Sequence, residues 1–259
     1  MGKILLLSRG FFNIWSTGKV QNLANATQKV LQAESKGASL IILPECFNSP
    51  YSATKFREYA EPLSASPDPL RCIGTNSQGY RLFLNATHLA TSTIPAQYTL
   101  SKGKLIAFHR KMHLFDMDVP GGMSFHESDT LSAGKKTTTV DLEGYGQIGL
   151  GVCYDMRFAE LSTIAARQGA FALVYPSAFN TTTGPLHWEL LGRARAVDNQ
   201  GYGMVTDPMG QVVAGTNQSE DIAYALLDPE TIKRSRMAIP ITFQRRHDVY
   251  PEIGKLVQT

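Results

Sequence analysis

Hydrophobic residues fall along the chain in short runs, which alternate with stretches where apolar positions recur at helical spacing. A short apolar run bounded by turn residues is typical of a buried strand, whereas apolar residues at i, i+3 and i+4 indicate one face of a helix. Residues 3–7 are therefore predicted to form a buried strand, and residues 20–36 an amphipathic helix that ends at Gly37. This alternation predicts an α/β fold of stacked layers.

The same two patterns recur through much of the remaining sequence. They predict strands over 39–43, 105–108, 138–142, 147–152 and 172–175, and helices over 158–168 and 186–197. Pro44 is expected to end the strand before it, because proline donates no backbone hydrogen bond. The turn residues at 207–210 predict a hairpin that pairs 203–206 with 211–214.

Size and charge limit the classes of protein that the sequence can encode. The chain has 259 residues, of which 43% are hydrophobic, and this suits one domain over 1–259 with a large core. The net charge is only +3 and the Lys and Arg residues are scattered, an arrangement that does not favour nucleic-acid binding. The apolar run at 4–7 is too short for the core of a signal peptide, and no stretch suits a membrane span.

The cysteines indicate a reducing environment. There are three of them, at Cys46, Cys72 and Cys153, and such an odd, sparse set argues against a disulfide framework. Cys46 and Cys72 are interpreted as structural. We therefore expect a cytoplasmic protein, with an additional mitochondrial pool left open.

Three polar residues come directly after predicted strands. Glu45 follows the run LIILP, Lys111 lies just beyond a strand in HRKMHLFD, and Cys153 lies in IGLGVCYDMRF, where a strand meets a helix. Ligand clefts in layered α/β proteins open where strands end. We therefore expect these three side chains to meet in one pocket, although they are far apart in the sequence.

The three residue types fit nucleophilic catalysis. A thiol attacks as its thiolate, and the start of a helix or a nearby cation lowers its pKa, so we expect Cys153 to be an activated nucleophile beside Lys111. Glu45 would take the thiol proton and later activate water. Lys111 and backbone N–H groups after Cys153 would hold the oxyanion, and such donors contribute about 2.7–4 kcal/mol each.

Each residue also has a plainer interpretation. A free cysteine such as Cys153 is more often a small buried apolar residue than a nucleophile. Glu45 can be a helix cap or a surface carboxylate, and Lys111 can belong to a solvated basic turn. His109 and His113 have the i, i+4 spacing of metal ligands, but the sequence offers no clear third ligand, so no metal site is predicted.

Four longer segments carry a family resemblance. LPECFNSPYS, HRKMHLFDMDVPGGMSFHES, GLGVCYDMRFAEL and YPSAFNTTTGPLHWELLGRARAVDNQ resemble the nitrilase superfamily of carbon–nitrogen hydrolases, and look most like its omega-amidase branch. The motifs occur in the family's order. The resemblance implies an α/β fold of the αββα sandwich type, homodimers, and no cofactor.

The resemblance also implies site residues. It assigns a catalytic triad to Glu45, Lys111 and Cys153. It adds Glu127, in SFHES, as a second glutamate that orients the lysine. Three aromatic residues are proposed to line the substrate cleft, and a fourth to cover its entrance: Tyr51, Tyr154, Phe179 and, at the entrance, Tyr250. Each of these aromatics can equally belong to the core or to an interface.

The implied reaction is the hydrolysis of a small carboxylated amide through a thioester on Cys153. In the omega-amidase branch the substrates are 2-oxoglutaramate and 2-oxosuccinamate, and the segments HLFDMDVP and AFNTTTGP favour this branch. The alternatives are an amidase for deaminated glutathione and a catalytically silent protein that keeps the fold.

Three departures from the family pattern motivate the silent alternative. The opening segment lacks the usual strand that ends in a Gln-containing turn. Residues 66–98 lack a recognisable strand and its flanking helix. AVDNQ runs almost directly into GYGMVTDPMG, where the family has a further strand and loop. We therefore expect the sandwich to have shortened or missing strands. A buried backbone group left without its ladder partner costs about 1–3 kcal/mol.

Overall fold

The computed structural model describes most of the chain, in segments. These are residues 3–9, 18–52, 55–60, 83–89, 95–101, 104–118, 120–121, 124–179, 184–203, 206–215, 220–250 and 252. Cys72 lies outside them. None of the helices in these segments combines the length and the apolar character that crossing a membrane requires.

The helices and strands follow one another along the whole described chain. The strands are β1 (Lys3–Arg9), β2 (Ala38–Glu45), β3 (Phe83–Leu89), β4 (Pro95–Ser101), β5 (Lys104–Arg110), β6 (Asp116–Asp118), β7 (Ser124–His126), β8 (Thr138–Leu142), β9 (Gly146–Leu150), β10 (Ala172–Val174), β11 (Tyr202–Gly203) and β12 (Glu220–Leu226). The α-helices are α1 (Lys19–Ser35), α2 (Phe56–Tyr59), α3 (Ala159–Arg167), α4 (Gly184–Asn199), α5 (Pro229–Ala238) and α6 (Ile241–Gln244). Two 3₁₀ helices span Glu127–Asp129 and Cys153–Arg157.

Two main sheets organise the fold. The first has the strand order β12-β1-β2-β3-β4-β5, with β1, β2 and β3 parallel and the other pairs antiparallel. The second has the order β11-β10-β9-β8. Strands β6 and β7 form a small separate ribbon. Parallel strands need crossover connections, and α1 provides the one between β1 and β2.

Strand β2 shows how the layers are stacked. Successive side chains of a strand point to opposite faces. Ile41 and Leu43 pack with one face of α1, whereas Leu40 and Ile42 pack with apolar residues of the second sheet. A fully buried aliphatic side chain contributes about 1.5–3 kcal/mol, so β2 is held firmly from both sides.

Strand β10 gives the same result for the second sheet. Ala172 and Val174 face the core between the sheets, and Leu173 faces the opposite way, into a cluster with Leu161 and Ala165 of α3. The layers therefore run from α1 through both sheets to α3 and α4. The predicted αββα sandwich is confirmed.

The expectation that residues 66–98 lack a strand is corrected in the first sheet. Residues 83–89 form β3, which pairs with β2 and β4, so the region 66–98 does supply an inner strand. In the second sheet, the described part of the outer strand β11 is Tyr202–Gly203, and residues 204–205 of the predicted hairpin lie outside the described residues. Among the described residues of that hairpin, isolated bridges join Thr206 to Gly203 and to Val212.

The prediction that Pro44 ends β2 is wrong. The strand continues through Pro44 to Glu45, and its pairing with β3 changes register between Ile42 and Glu45. A register irregularity accommodates a residue that lacks a backbone N–H. As a result, Glu45 becomes the last residue of a deeply buried strand.

Candidate active site

The structure brings the predicted acidic, basic and thiol residues to neighbouring strand ends. Glu45 ends β2, Lys111 follows β5, and Cys153 lies three residues after the end of β9. All three side chains are buried, and so is Glu127 in the short 3₁₀ helix after β7. Residues from four distant parts of the sequence therefore share one site.

The Lys111 ammonium lies between two carboxylates. Its Nζ donates to Glu45 Oε1 at 3.0 Å and to Glu127 Oε1 at 2.9 Å. Burial acts to lower the pKa of Lys111, but the charges of Glu127 and Glu45 outweigh it and hold the pKa well above its ordinary value. The lysine is therefore a permanent cation in the site, and removing one partner of such a buried pair typically costs about 3–5 kcal/mol.

Glu127 has no oxygen left for proton transfer. Besides Lys111, its Oε1 accepts the Tyr51 hydroxyl at 2.6 Å, and its Oε2 accepts the Phe115 backbone N–H at 2.7 Å. Hydrogen bonds on both oxygens therefore fix the position of the Glu127 carboxyl group beside Lys111.

Glu45 differs from Glu127 in having a free oxygen. Its Oε1 accepts from Lys111, whereas Oε2 is buried with no hydrogen-bond partner of normal geometry in the described chain. Burial raises the pKa of Glu45, Lys111 opposes this, and the charge of Glu127 adds to it, so that the net shift is upward. A carboxylate with a raised pKa and an unused oxygen is suited to accept and return a proton.

Cys153 begins a 3₁₀ helix in a strained conformation. Its φ is +43°, in the left-handed region that non-glycine residues seldom occupy, and its backbone N–H donates to the Pro176 carbonyl at 2.9 Å. Strain of this kind costs about 1–3 kcal/mol and is concentrated at functional sites. The sharp turn places the thiol at the junction of β9 and the helix that follows.

The expectation of a lowered thiol pKa is wrong. Burial and the charge of Glu45 raise the pKa of Cys153 well above its ordinary value, although Lys111 acts to lower it. Burial is the largest of these effects, and together with the charge of Glu45 it outweighs the lowering by Lys111. A raised pKa keeps the resting thiol protonated at neutral pH.

The four aromatic residues predicted to line or cover the cleft lie in different surroundings. Phe179 packs in one cluster with Cys153, and Tyr154 packs against Phe115, with ring centroids 5.1 Å apart. Tyr51 directs its hydroxyl to Glu127 and so supports the charged group. Tyr250 is half exposed and packs on His247, away from these contacts within the described residues.

Asp155 is a buried residue that the sequence interpretation missed. Its Oδ1 accepts from the backbone N–H of His113 at 2.8 Å, and its Oδ2 accepts from that of Val152 at 2.9 Å. The carboxylate therefore joins the loop after Lys111 to the turn at Cys153. A signal was present, because an acidic residue two positions after a candidate nucleophile can cap the turn that holds it.

His109 and His113 both bind Asp155. The Nδ1 of His113 lies 2.7 Å from Asp155 Oδ1, and the Nε2 of His109 lies 3.5 Å from Oδ2. Burial acts to raise the pKa of Asp155, but hydrogen bonds from His109, His113 and the Val152 N–H hold it well below its usual value. The i, i+4 histidine pair therefore serves this carboxylate, and no cluster suited to a metal ion occurs in the segments described above.

Replacing Asp155 with asparagine is expected to lower the free energy of unfolding at neutral pH by about 3–5 kcal/mol. The side-chain NH₂ group of asparagine would face a backbone N–H group from which the carboxylate now accepts a hydrogen bond. Because the folded-state pKa of Asp155 is depressed, its contribution is present at neutral pH and is lost as the pH falls below the ordinary range of a carboxyl group. Urea denaturation at several pH values measures both effects.

The exposed Asp141 in β8 provides the control, since Asp141→Asn is expected to change stability by less than about 0.5 kcal/mol. Equal stability of the Asp155→Asn variant and the wild type would show that Asp155 does not join the two segments.

Comparison with known proteins places the chain in a family. The carbon-nitrogen hydrolase family model matches residues 12–237. The chain is 44% identical to omega-amidase NIT3 of Saccharomyces cerevisiae, covering 92% of each protein. It is 39% identical to omega-amidase NIT2 of Homo sapiens, covering 91% of this chain and 93% of that protein. The yeast alignment extends over 274 positions, more than the 259 residues present, so the yeast protein has segments without a counterpart here.

Solved structures agree with this assignment. The crystal structure of S. cerevisiae Nit3, described as a member of branch 10 of the nitrilase superfamily, superposes with a TM-score of 0.78 at 40% identity, covering 95% of this chain and 97% of that one. The C. elegans NitFhit protein superposes with a TM-score of 0.83 at 27% identity, covering 96% of this chain and 66% of that one. The chain therefore belongs to the carbon-nitrogen hydrolase family, within the nitrilase superfamily, and is a hydrolase.

Proposed function

We propose that the chain is an amidase of the omega-amidase type, which converts small carboxylated amides to the acid and ammonia. The arrangement of Glu45, Lys111 and Cys153 carries the proposal. A buried thiol lies beside a carboxylate with an unused oxygen, and one cation lies within hydrogen-bond distance of that carboxylate. This set supplies a nucleophile, a base and an electrophilic donor without a cofactor.

The first half of the reaction forms a thioester. Glu45 removes the thiol proton as the sulfur of Cys153 attacks the amide carbon, and the Lys111 ammonium stabilises the negative oxygen. The carbon–nitrogen bond then breaks, and Glu45 gives its proton to the departing nitrogen, which leaves as ammonia. The carboxylate is thereby ready for a second cycle of proton transfer.

The second half hydrolyses the thioester. Glu45 takes a proton from water as the water oxygen attacks the thioester carbon. The carbon–sulfur bond breaks, the thiolate recovers a proton from Glu45, and the acid is released. One amide and one water thus give one acid and one ammonia. Glu127, fixed by Tyr51 and Phe115, keeps Lys111 in place throughout.

The similar proteins from yeast and human, both named omega-amidases, support the substrate class. We propose 2-oxoglutaramate and 2-oxosuccinamate as substrates, in preference to deaminated glutathione. The segments of the yeast protein that have no counterpart here motivate a second candidate, a catalytically silent protein with the same fold. The buried charged groups of the site argue against it. Burying charged groups costs folding free energy, and a silent protein would gain no activity from them.

Ammonia release from 2-oxoglutaramate by the purified protein tests the proposal. We expect turnover with 2-oxoglutaramate and 2-oxosuccinamate, and a lower kcat/KM with deaminated glutathione. A preference for the peptide-like amide would reassign the substrate. If no amide in the panel is hydrolysed and no thioester forms, the silent alternative is correct.

We further propose that residues 1–259 form one domain and that the protein is a homodimer. Large apolar side chains are exposed on the outer helix layer and near the C-terminal end, including Leu186 (66%), Leu190 (64%), Met237 (83%) and Phe243 (87%). Exposed apolar groups of this size are typical of a contact surface. Sedimentation velocity measures the mass, and a monomer at micromolar concentration would contradict the dimer.

A further inference from the structure

A second cavity lies on the outer helix layer, where α3 and α4 meet the C-terminal part of the chain. Its volume is about 210 Å³, and none of its described lining residues belongs to the candidate active site. A water molecule occupies about 30 Å³ in the liquid, so the cavity has room for a small polyatomic ion. Three arginines from separate elements line it: Arg167 at the end of α3, Arg236 of α5 and Arg245 directly after α6.

These arginines give the cavity an excess of positive charge. In the described chain neither Arg167 nor Arg236 forms an ion pair, and Arg245 donates to the backbone carbonyl of Asp198 at 2.6 Å. Asp198 is the one acidic residue of the described lining, and its carboxylate already pairs with Arg195 at 2.9 Å. Three guanidinium groups therefore share a cavity whose single described carboxylate is paired with a fourth arginine.

Arg236 has a hydrogen-bond donor that the fold leaves unused. Its Nε is buried and has no acceptor within the described residues. A buried donor without an acceptor destabilises the folded state, and a charged group does so more than a neutral one. Arg195 of the neighbouring α4 is different, because its Nε donates to the Met156 carbonyl at 3.0 Å. The helix layer thus supplies an acceptor for Nε of one arginine and none for Nε of the other.

We propose that this cavity binds a small, doubly charged oxyanion, a phosphate or a dicarboxylate. The flat guanidinium group donates paired hydrogen bonds to the oxygens of either anion. Such an ion would supply acceptors for Arg236 and balance the charges of Arg167 and Arg245. It would also connect the C-terminal part of the chain to α3, and a ligand that binds only the folded chain stabilises it. The inference is independent of the proposed amidase function.

Calorimetric titration of the full chain with inorganic phosphate and, separately, with malonate tests the inference. We expect saturable binding of at least one of them, with one site per chain, and a melting temperature that rises with its concentration. Chloride at matched ionic strength measures the effect of screening alone. Tighter binding of phosphate assigns the site to phosphate groups, and tighter binding of malonate assigns it to dicarboxylates. Because Phe243 of the proposed dimer surface also lines the cavity, the oligomeric state is measured under the same conditions.

Two variants of the lining and one matched control locate the binding. Arg236→Gln is expected to weaken binding at least about 10-fold, because it removes a charged donor. Arg167→Gln is expected to do the same without affecting folding, since Arg167 is exposed. The control is Arg234→Gln, which removes the same charge from α5 at a side chain that is 70% exposed and donates to Thr231. It is expected to bind the anion as the wild type does.

Thermal melting without ligand verifies that each variant is folded. The inference is overturned if the folded wild type shows no saturable binding of either anion at millimolar concentration. It is also overturned if Arg236→Gln and Arg167→Gln bind as tightly as the wild type. An equal loss of affinity in Arg234→Gln would show that net charge, and not this cavity, attracts the anion, and would likewise reject the site.

Discussion

Replacing Cys153 with alanine is expected to lower the rate of ammonia release by at least about 10⁴-fold, because no other described group can form the thioester. Glu45 and Lys111 would keep their hydrogen bond, so the variant is expected to fold and to bind the amide. Steady-state ammonia release measures the loss. Intact mass spectrometry of the wild type during turnover is expected to show the added acyl group on the protein.

Cys46 provides a matched control for this experiment. It is also a buried free cysteine with a positive φ, of 53°, and it is adjacent to Glu45 in the sequence. Cys46→Ala is expected to retain most of the wild-type rate and to form the same acyl adduct. Unchanged activity in Cys153→Ala, or an adduct that maps to Cys46, would reject Cys153 as the nucleophile.

Replacing Lys111 with methionine is expected to lower the free energy of unfolding at neutral pH by about 3–5 kcal/mol, because two carboxylates are left close together without their cation. The loss of an oxyanion donor is expected to lower kcat by about 10²- to 10³-fold. Chemical denaturation and steady-state kinetics measure the two effects separately. Methionine fills a similar volume, so a cavity contributes little.

The pH dependence of this variant tests the electrostatic explanation. Lys111 lowers the pKa of Glu45 in the wild type, so removing it raises the pKa of that carboxyl further above its unfolded value. A group with a raised folded-state pKa gains stability as the pH falls. The deficit of Lys111→Met is therefore expected to shrink at acidic pH. A deficit that is constant with pH would indicate lost packing instead.

Lys55 offers the control for lost charge. It is exposed and pairs only with the neighbouring Glu58 among the interactions of the described chain. Exposed ion pairs contribute about 0–1 kcal/mol, so Lys55→Met is expected to change neither kcat nor the stability by more than a small amount. A comparable loss in both variants would argue against a special role for the buried cation.

The two glutamates differ in their hydrogen bonds. Glu127 accepts hydrogen bonds on both oxygens, whereas Glu45 accepts from Lys111 through Oε1, and its Oε2 accepts from no N–H or O–H group of the described chain. This difference supports the proposal that Glu45, and not Glu127, carries the proton.

Several structural elements could be predicted from the hydrophobic pattern. The strand at 138–142 coincides with β8, and the predicted helices at 158–168 and 186–197 coincide closely with α3 and α4. In α3 the apolar positions Leu161 and Ala165 are buried, as the periodicity predicts, whereas α4 leaves Leu186 and Leu190 exposed. The local hydrophobic pattern is sufficient to predict a helix or strand that packs against a single layer of the fold.

Other elements depended on tertiary contacts. In α1 the buried face is Asn22, Ala26, Val30 and Ala33, whereas the apolar residue Val20 is 82% exposed. Small residues of α1 face β2 because the helix packs closely on the sheet. The spacing of apolar residues along the sequence does not identify these positions. Strand β2 continues through Pro44 because its neighbours tolerate a change of register.

The amino-acid sequence was sufficient to predict the layered α/β fold, the family resemblance and the choice of Glu45, Lys111, Glu127 and Cys153 as candidate residues. Residue types and motif order carry that information, since chemistry depends on which groups are present. The distribution of charge among these residues, by contrast, depends on how the folded chain arranges them. The pKa of the Cys153 thiol is raised rather than lowered, Tyr51 supports Glu127, and Asp155 joins the two loops. These properties depend on distances between residues far apart in the sequence and on their burial from water, and local sequence pattern encodes neither quantity.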